Sequence, residues 1–212
     1  MQGYVPTIGE FRSNILGPLE LVTSTSGLVV SLAEAKKHCR VDISDDDSYL
    51  TSLILRAQAF VETNIMGHRQ LLTATYDLPV MAWWNDSLRL PRPPLQSITS
   101  VKYYDIAEQQ LTVESTKYLV RRAWRQPGCL SLLPYQYWLY SLSLREYPIT
   151  IRFVCGYETV ASVPETLKQA ILLLVAHWYL FREPVVASGA VPQEISMTVK
   201  SLLESEGYGF YG

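Results

Sequence analysis

Between Pro164 and Pro184 the chain runs through "AILLLVAHWYLF", Ala170 to Phe181, a stretch with no polar side in its middle. Pro164 suits a first helical position, so the segment is expected to be a helix ending before Pro184. A helix on the surface of a monomer shows an apolar stripe and a polar back. Here Ile171, Leu172, Leu173, Leu174, Val175, Trp178, Tyr179, Leu180 and Phe181 spread round the circumference. Such a helix needs cover on every side. Two earlier helices can take one face, but a small helical hub has few further elements, so a neighbouring subunit or a β module is expected to take the rest. The alternative is a helix wholly buried inside a monomer. Subunit contact is assigned to Leu172, Leu173, Val175, Tyr179 and Leu180. The run falls short of the roughly 20 apolar residues that cross a bilayer, and it contains His177, so no membrane contact is expected.

Two helices are legible ahead of it. Ser31 with Glu34 three residues on forms a capping box before "LAEAKKHC", where Leu32, Ala35 and Cys39 share a face. The second follows "RVDISDDDSYL", which sets four aspartates, Asp42, Asp45, Asp46 and Asp47, close together. Asp42, Ser44 and Asp46 imitate the first ligands of a calcium loop, but the glycine and the bidentate glutamate of such a loop are replaced by Asp47 and Leu53. No metal is expected. Leu50, Leu53, Ile54, Ala57, Phe60, Val61 and Ile65 have helical spacing, so Ser44 is expected to cap a helix with Asp45, Asp46 and Asp47 in its first turn. Gly67 suits its C-terminal end.

From about Leu71 to Tyr157 the period changes. Ile149, Ile151 and Phe153 alternate with Thr150 and Arg152, the mark of a half-buried strand. "LLTATYDLPV", "SLRL", "SITSVKYYD", "QLTVE", "KYLVRR" and "CLSLL" are further strand candidates. Pro91, Pro93 and Pro94 make "LPRPPL" a crossing between strands. A last short helix is expected from about Ile195 to Glu204. The fold class is therefore α+β: a small helical bundle hub, 28–67 with 163–206, an inserted antiparallel β module, 71–157, and flexible arms, 1–27 and 207–212.

Chemistry finds little support. The net charge is −2, from 18 basic and 20 acidic residues, which leaves no footprint for nonspecific nucleic-acid binding. Arg121, Arg122 and Arg125 read as a solvated strand edge. Cys39, Cys129 and Cys155 are too widely spaced for a CxxC pair and fit a reducing compartment. His38 and Cys39 are helical neighbours that point about 100° apart, so they do not face one another. A Cys155–His177 hydrolase has no local support. No GxGxxG, P-loop, HExxH or GxSxG is present. No catalytic residue and no cofactor is assigned. The N-terminal residues do not follow the signal-peptide pattern. Trp83, Trp84, Tyr103, Tyr104, Tyr135, Tyr137, Trp138 and Tyr140 make the β module aromatic, so a carbohydrate- or receptor-binding module is the alternative function. The closing "EGYGFYG" joins costly-to-order glycines with aromatics, as a docking tail would.

The order "LELVTSTSGLVVSLAEAKKHCRVD", "LILRAQAFVE", "LRLPRPPLQSITSVKYYD", "ITIRFVCGY" and "VPETLKQAILLLVAHWYLFRE" resembles the head-to-tail connector (adaptor) proteins of tailed bacteriophages. The resemblance spans about Leu19 to Glu183, with an echo in "VKSLLESEGYGFYG". It implies a structural virion protein of the neck, assembled in the bacterial cytoplasm as a ring of twelve copies beneath the portal. Such a ring extends the channel through which double-stranded DNA passes and carries the next neck or tail protein. The resemblance also implies portal docking by the C-terminal tail, carried here by Tyr208, Phe210 and Tyr211.

Overall fold

The structure is a computed structural model and describes residues 15–64, 68–85, 87–122, 126–138, 140–181 and 197–206. They divide into two compact units. A β unit holds the described residues up to Ser24 together with Ala74–Cys155, and a helical unit holds Thr25–Thr73 with the described residues from Gly156 onward. Each unit has its own apolar core. Helices and antiparallel sheets thus coexist, as the change of period predicts.

The helical unit contains α1 (Leu32–Cys39), α2 (Asp47–Asn64), α3 (Glu165–Leu180) and α4 (Met197–Glu206). The capping box forms as expected. Ser31 Oγ accepts from the Glu34 N–H, while the Glu34 carboxylate accepts from the Ser31 N–H at 2.8 Å. Ala35 is buried between half-buried Leu32 and Cys39, and Arg40 closes the helix in the left-handed region, at φ 56°. On α2 the residues Leu50, Leu53, Ile54, Ala57 and Val61 are buried, the face that the spacing requires. Ile65 and Gly67 lie outside the described residues.

The start of α2 differs from expectation. Ser44 to Asp46 form a turn, closed by the Asp47 N–H donating to the Ser44 carbonyl at 3.1 Å, and the helix begins at Asp47. Asp47 keeps its expected place in the first turn, and the side chains of Asp46 and Asp47 also serve tertiary contacts. Asp47 pairs with Lys36 at 2.6 Å, and Asp46 accepts from the Tyr179 hydroxyl at 2.6 Å. Pro164 likewise sits one residue before its helix, with its carbonyl accepting from Leu167 and Lys168. Both offsets are of the size by which helix ends commonly shift.

More elements cover α3 than the sequence suggested, since α1, α2 and α4 all pack against it. Leu167, Ala170, Ile171, Leu174 and Val175 are buried on its core face.

The β unit contains β1 (Glu20–Ser24), β2 (Ala74–Val80), β3 (Ser87–Arg89), β4 (Leu95–Tyr104), β5 (Gln110–Thr112), β6 (Tyr118–Arg121), β7 (Cys129–Leu132) and β8 (Ile149–Cys155). A five-stranded antiparallel sheet runs β1-β2-β8-β4-β5, and a three-stranded one runs β3-β7-β6. Alternation sends Ala74, Tyr76, Leu78 and Val80 into the core beside Ile149, Ile151, Phe153 and Cys155. Residues 91–94 form the crossing between β3 and β4 that their prolines require.

Strand β1 falls in the segment expected to be a flexible arm. All five of its residues are exposed, so no alternation of burial marks it in the sequence. Backbone pairing holds it: Glu20 stands opposite Asp77 and Ser24 opposite Ala74. Before it, the Gly17 N–H donates to the Pro79 carbonyl and the Met81 N–H to the Ile15 carbonyl, each at 2.8 Å. A β carbon on Gly17 would press on the Tyr147 ring, so glycine permits this close approach.

Candidate interaction surfaces

The apolar circumference of α3 is shared out unevenly. Val175 is fully buried, so its side chain belongs to the protomer's own core and has no surface for a neighbour. That removes it from the expected subunit contact. Leu172 and Leu173 are half-buried against the core, and Tyr179 is held by Asp46 with its ring 6.3 Å from that of Tyr49. Trp178 meets Phe60 edge-on at 5.9 Å, with the Arg56 guanidinium 5.2 Å over its ring. What stays open is the tip, where Leu180 is 74% and Phe181 54% exposed. Large apolar side chains so exposed at a helix end suit contact with another protein. Tyr208, Phe210 and Tyr211 lie outside the described residues.

The aromatic residues of the β unit mostly face inward. Trp83 stacks on Trp138 at 4.4 Å, and Tyr103 lies 4.7 Å from Tyr140. Among the described residues of the β unit each indole N–H is used: Trp83 donates to the Tyr140 carbonyl, Trp84 to that of Leu130, and Trp138 to that of Trp84. Burial pushes the Tyr103 hydroxyl pKa up, helped by Tyr140 and Asp105. These described rings pack on one another and against the core of the β unit. Tyr135 and Tyr137 are the exceptions, both strongly exposed on the loop after β7.

The outer face of the five-stranded sheet is polar. A groove of about 470 Å³ is lined there by Glu20, Asp77, Lys102, Arg152, Tyr147 and neighbours. Arg152 donates twice to the Asp77 carboxylate, at 2.8 and 2.7 Å, and that bonding raises the Arg152 pKa further. Nearby, Glu108 accepts from Ser143 and Arg145, which together hold its carboxyl below its usual range.

Two further surfaces are charged. Across the three-stranded sheet Arg89, Cys129 and Arg121 stand in one row, and Ser87, Ser131 and Leu119 in the next. Arg89, Arg121 and the following Arg122 are exposed. In the helical unit Asp42 and Asp45 are exposed on either side of Ile43. Sequence reasoning grouped the arginines by proximity along the chain and so missed Arg89, which only strand register brings into line. Among the described residues no three His, Cys, Asp or Glu side chains are grouped to hold a metal ion. Cys155 is fully buried in the β unit, whereas His177 is on α3 of the helical unit, its ring 5.1 Å from Phe181. Burial also raises the pKa of Cys39, which disfavours its thiolate.

Residues 29–118 match the model of the family of phage gp6-like head-tail connector proteins, which bears out the resemblance over that stretch. No protein of curated function matches the sequence. Among solved structures, a chain in the neck of an empty GTA particle, computed with C6 symmetry, is 23% identical; the match covers 92% of this chain and 99% of that one, with a TM-score of 0.68. A chain in the virion of a native gene transfer agent (GTA) particle is 23% identical, covering 92% and 98%, with a TM-score of 0.71. A third, in the neck of a native GTA particle computed with C12 symmetry, is 22% identical, covering 92% and 99%, with a TM-score of 0.62. The fold is shared along nearly the whole of each chain.

Proposed function

We propose that this chain is a structural protein of the neck of a phage or phage-like particle, where it forms a ring of adaptor subunits, twelve in number, beneath the portal. The ring extends the DNA channel and joins head to tail. One observation carries this: the family match over residues 29–118 falls within a fold that spans 92% of this chain and 99% of a chain in a GTA neck. No catalytic step is assigned to it. The particle is assembled in the host bacterial cytoplasm, and the mature protein resides in the virion.

Subunit contact is carried by Leu172, Leu173, Tyr179 and Leu180, with Phe181 added because it is exposed beside Leu180. Tyr208, Phe210 and Tyr211 dock on the portal, and the opposite side of the ring receives the next neck or tail-completion protein. A net charge of −2 suits a passage for duplex DNA, because a strongly basic lining would hold the phosphates. The glycan-binding alternative loses ground because the stacked tryptophans are packed against one another.

The test is deletion of the gene from the particle-producing genome, followed by imaging of purified particles at residue resolution. DNA-filled heads without tails are expected on deletion, and density for this chain at the neck in the intact particle. Tailed particles at normal yield after deletion would sink the proposal.

A further inference from the structure

The outward face of the three-stranded sheet differs in charge from the chain as a whole. Its inward row is Leu88, Leu130 and Val120, while its outward side presents Arg89 and Arg121 in one row and Leu119, 42% exposed, in the next. Strands β3, β6 and β7 contain no carboxylate at all, although the chain carries a net −2. Two strand spacings separate the two arginine backbones, about 10 Å. Arg122, next along, donates to the Gln96 carbonyl at 3.1 Å and keeps its charge at the same edge. Within the three strands themselves, no side chain supplies a counter-charge.

The helical unit carries the matching chemistry. In the turn between α1 and α2, Asp46 is taken by Tyr179 and Asp47 by Lys36, whereas Asp42 and Asp45 stay exposed. Between them Ile43 is 60% exposed. An exposed isoleucine flanked by two exposed carboxylates thus faces solvent on one unit. An exposed leucine beside two arginines does so on the other.

We propose that the three-stranded face of one copy receives the Asp42–Asp45 turn of the next copy round the ring, with the carboxylates of Asp42 and Asp45 on Arg89 and Arg121 and Ile43 against Leu119. The contact rests on the ring reading given above. It uses two different patches of the same chain, each once per copy, which is the head-to-tail type of interface that generates rings when the rotation closes. Guanidinium forks suit carboxylates better than a point charge would. Paired charges here fix register and reject wrong neighbours, while the apolar pair supplies the dry contact.

A charge exchange tests it, with full-length variants complementing the deleted gene and tailed particles counted by electron microscopy. Arg89→Glu with Arg121→Glu, or Asp42→Lys with Asp45→Lys, should each lower the tailed-particle yield by about ten-fold or more, since like charges then oppose. Combining all four substitutions should restore most of it. Every substituted side chain is exposed, and circular dichroism of the purified variants checks that folding is kept; the neutral sets Arg→Gln and Asp→Asn, expected to give a smaller loss, serve if a reversal misfolds. Wild-type yield from either reversed set overturns the contact, as does a fourfold variant no better than its parents. Loss on the arginine side alone would mark the face as a DNA or acidic-partner surface and would also overturn it. If deletion of the gene leaves tails intact, the ring reading falls instead, so the two failures are told apart.

Discussion

Ser31 and Glu34 show how much a pair of side chains settles at a helix start. Each satisfies a backbone N–H that the helix leaves unpaired, and replacing Ser31 by Ala should cost about 1 kcal/mol in chemical denaturation. The pair also titrates. The bond from the Ser31 hydroxyl, then that from the Ser31 N–H and the charge of Lys168, hold the Glu34 carboxyl below its ordinary 4.5. A carboxyl whose pKa is lower folded than unfolded adds stability above its unfolded value and loses it as pH falls through the folded one. The stability difference between wild type and Glu34→Gln should therefore be constant above about pH 5 and shrink on acidification below 4.5, as read from melts across pH. Gly156 is constrained in another way. Its φ is +96°, and a β carbon there would meet the Leu72 carbonyl, so Gly156→Ala should destabilise the helical unit by about 1–3 kcal/mol in the same measurement.

At the scale of elements, α3 separates what an apolar residue does inside from what it does outside. Leu174→Ala empties a buried site and should cost about 2–5 kcal/mol, whereas Leu180→Ser, at a position 74% exposed, should leave the melting temperature nearly unchanged. Thermal denaturation of the two variants makes the comparison. If Leu180→Ser proves as damaging as Leu174→Ala, then Leu180 has an internal packing role. Elements with a one-sided burial period were legible in the sequence: α2 from Leu50 to Val61, β2 from Ala74 to Val80, and β8 from Ile149 to Cys155. Strand β1 was not, because its side chains are all exposed and its place is fixed by backbone bonds to a strand some fifty residues further on. The charged row of the three-stranded sheet was hidden for a related reason, since register depends on pairing that the local pattern of "SLRL" or "KYLVRR" does not encode. Nor does composition reveal that Val175 is buried while Leu180 is open. Both belong to one apolar run, and the difference comes from where α1, α2 and α4 press on it.

For the whole molecule, the consequence of two separate cores is that one unit should survive removal of the other. The helical unit loses the chain after Thr73 and regains it at Gly156. Those two ends lie side by side within it: the Tyr157 N–H donates to the Leu71 carbonyl at 3.3 Å, and the Thr73 hydroxyl to the Tyr157 carbonyl at 3.1 Å. Closing so small a gap with two or three glycines adds little loop entropy. A chain of residues 25–73 joined in this way to 156–212 should be helical by circular dichroism, and should unfold in one cooperative transition, because its buried residues from Val29 to Leu203 all remain. A broad, non-cooperative melt would mean that the helical core draws on the β unit for its order. In that case the insertion of a sheet between α2 and α3 would be a condition of folding, and the interaction surfaces on the two units could not have been elaborated independently.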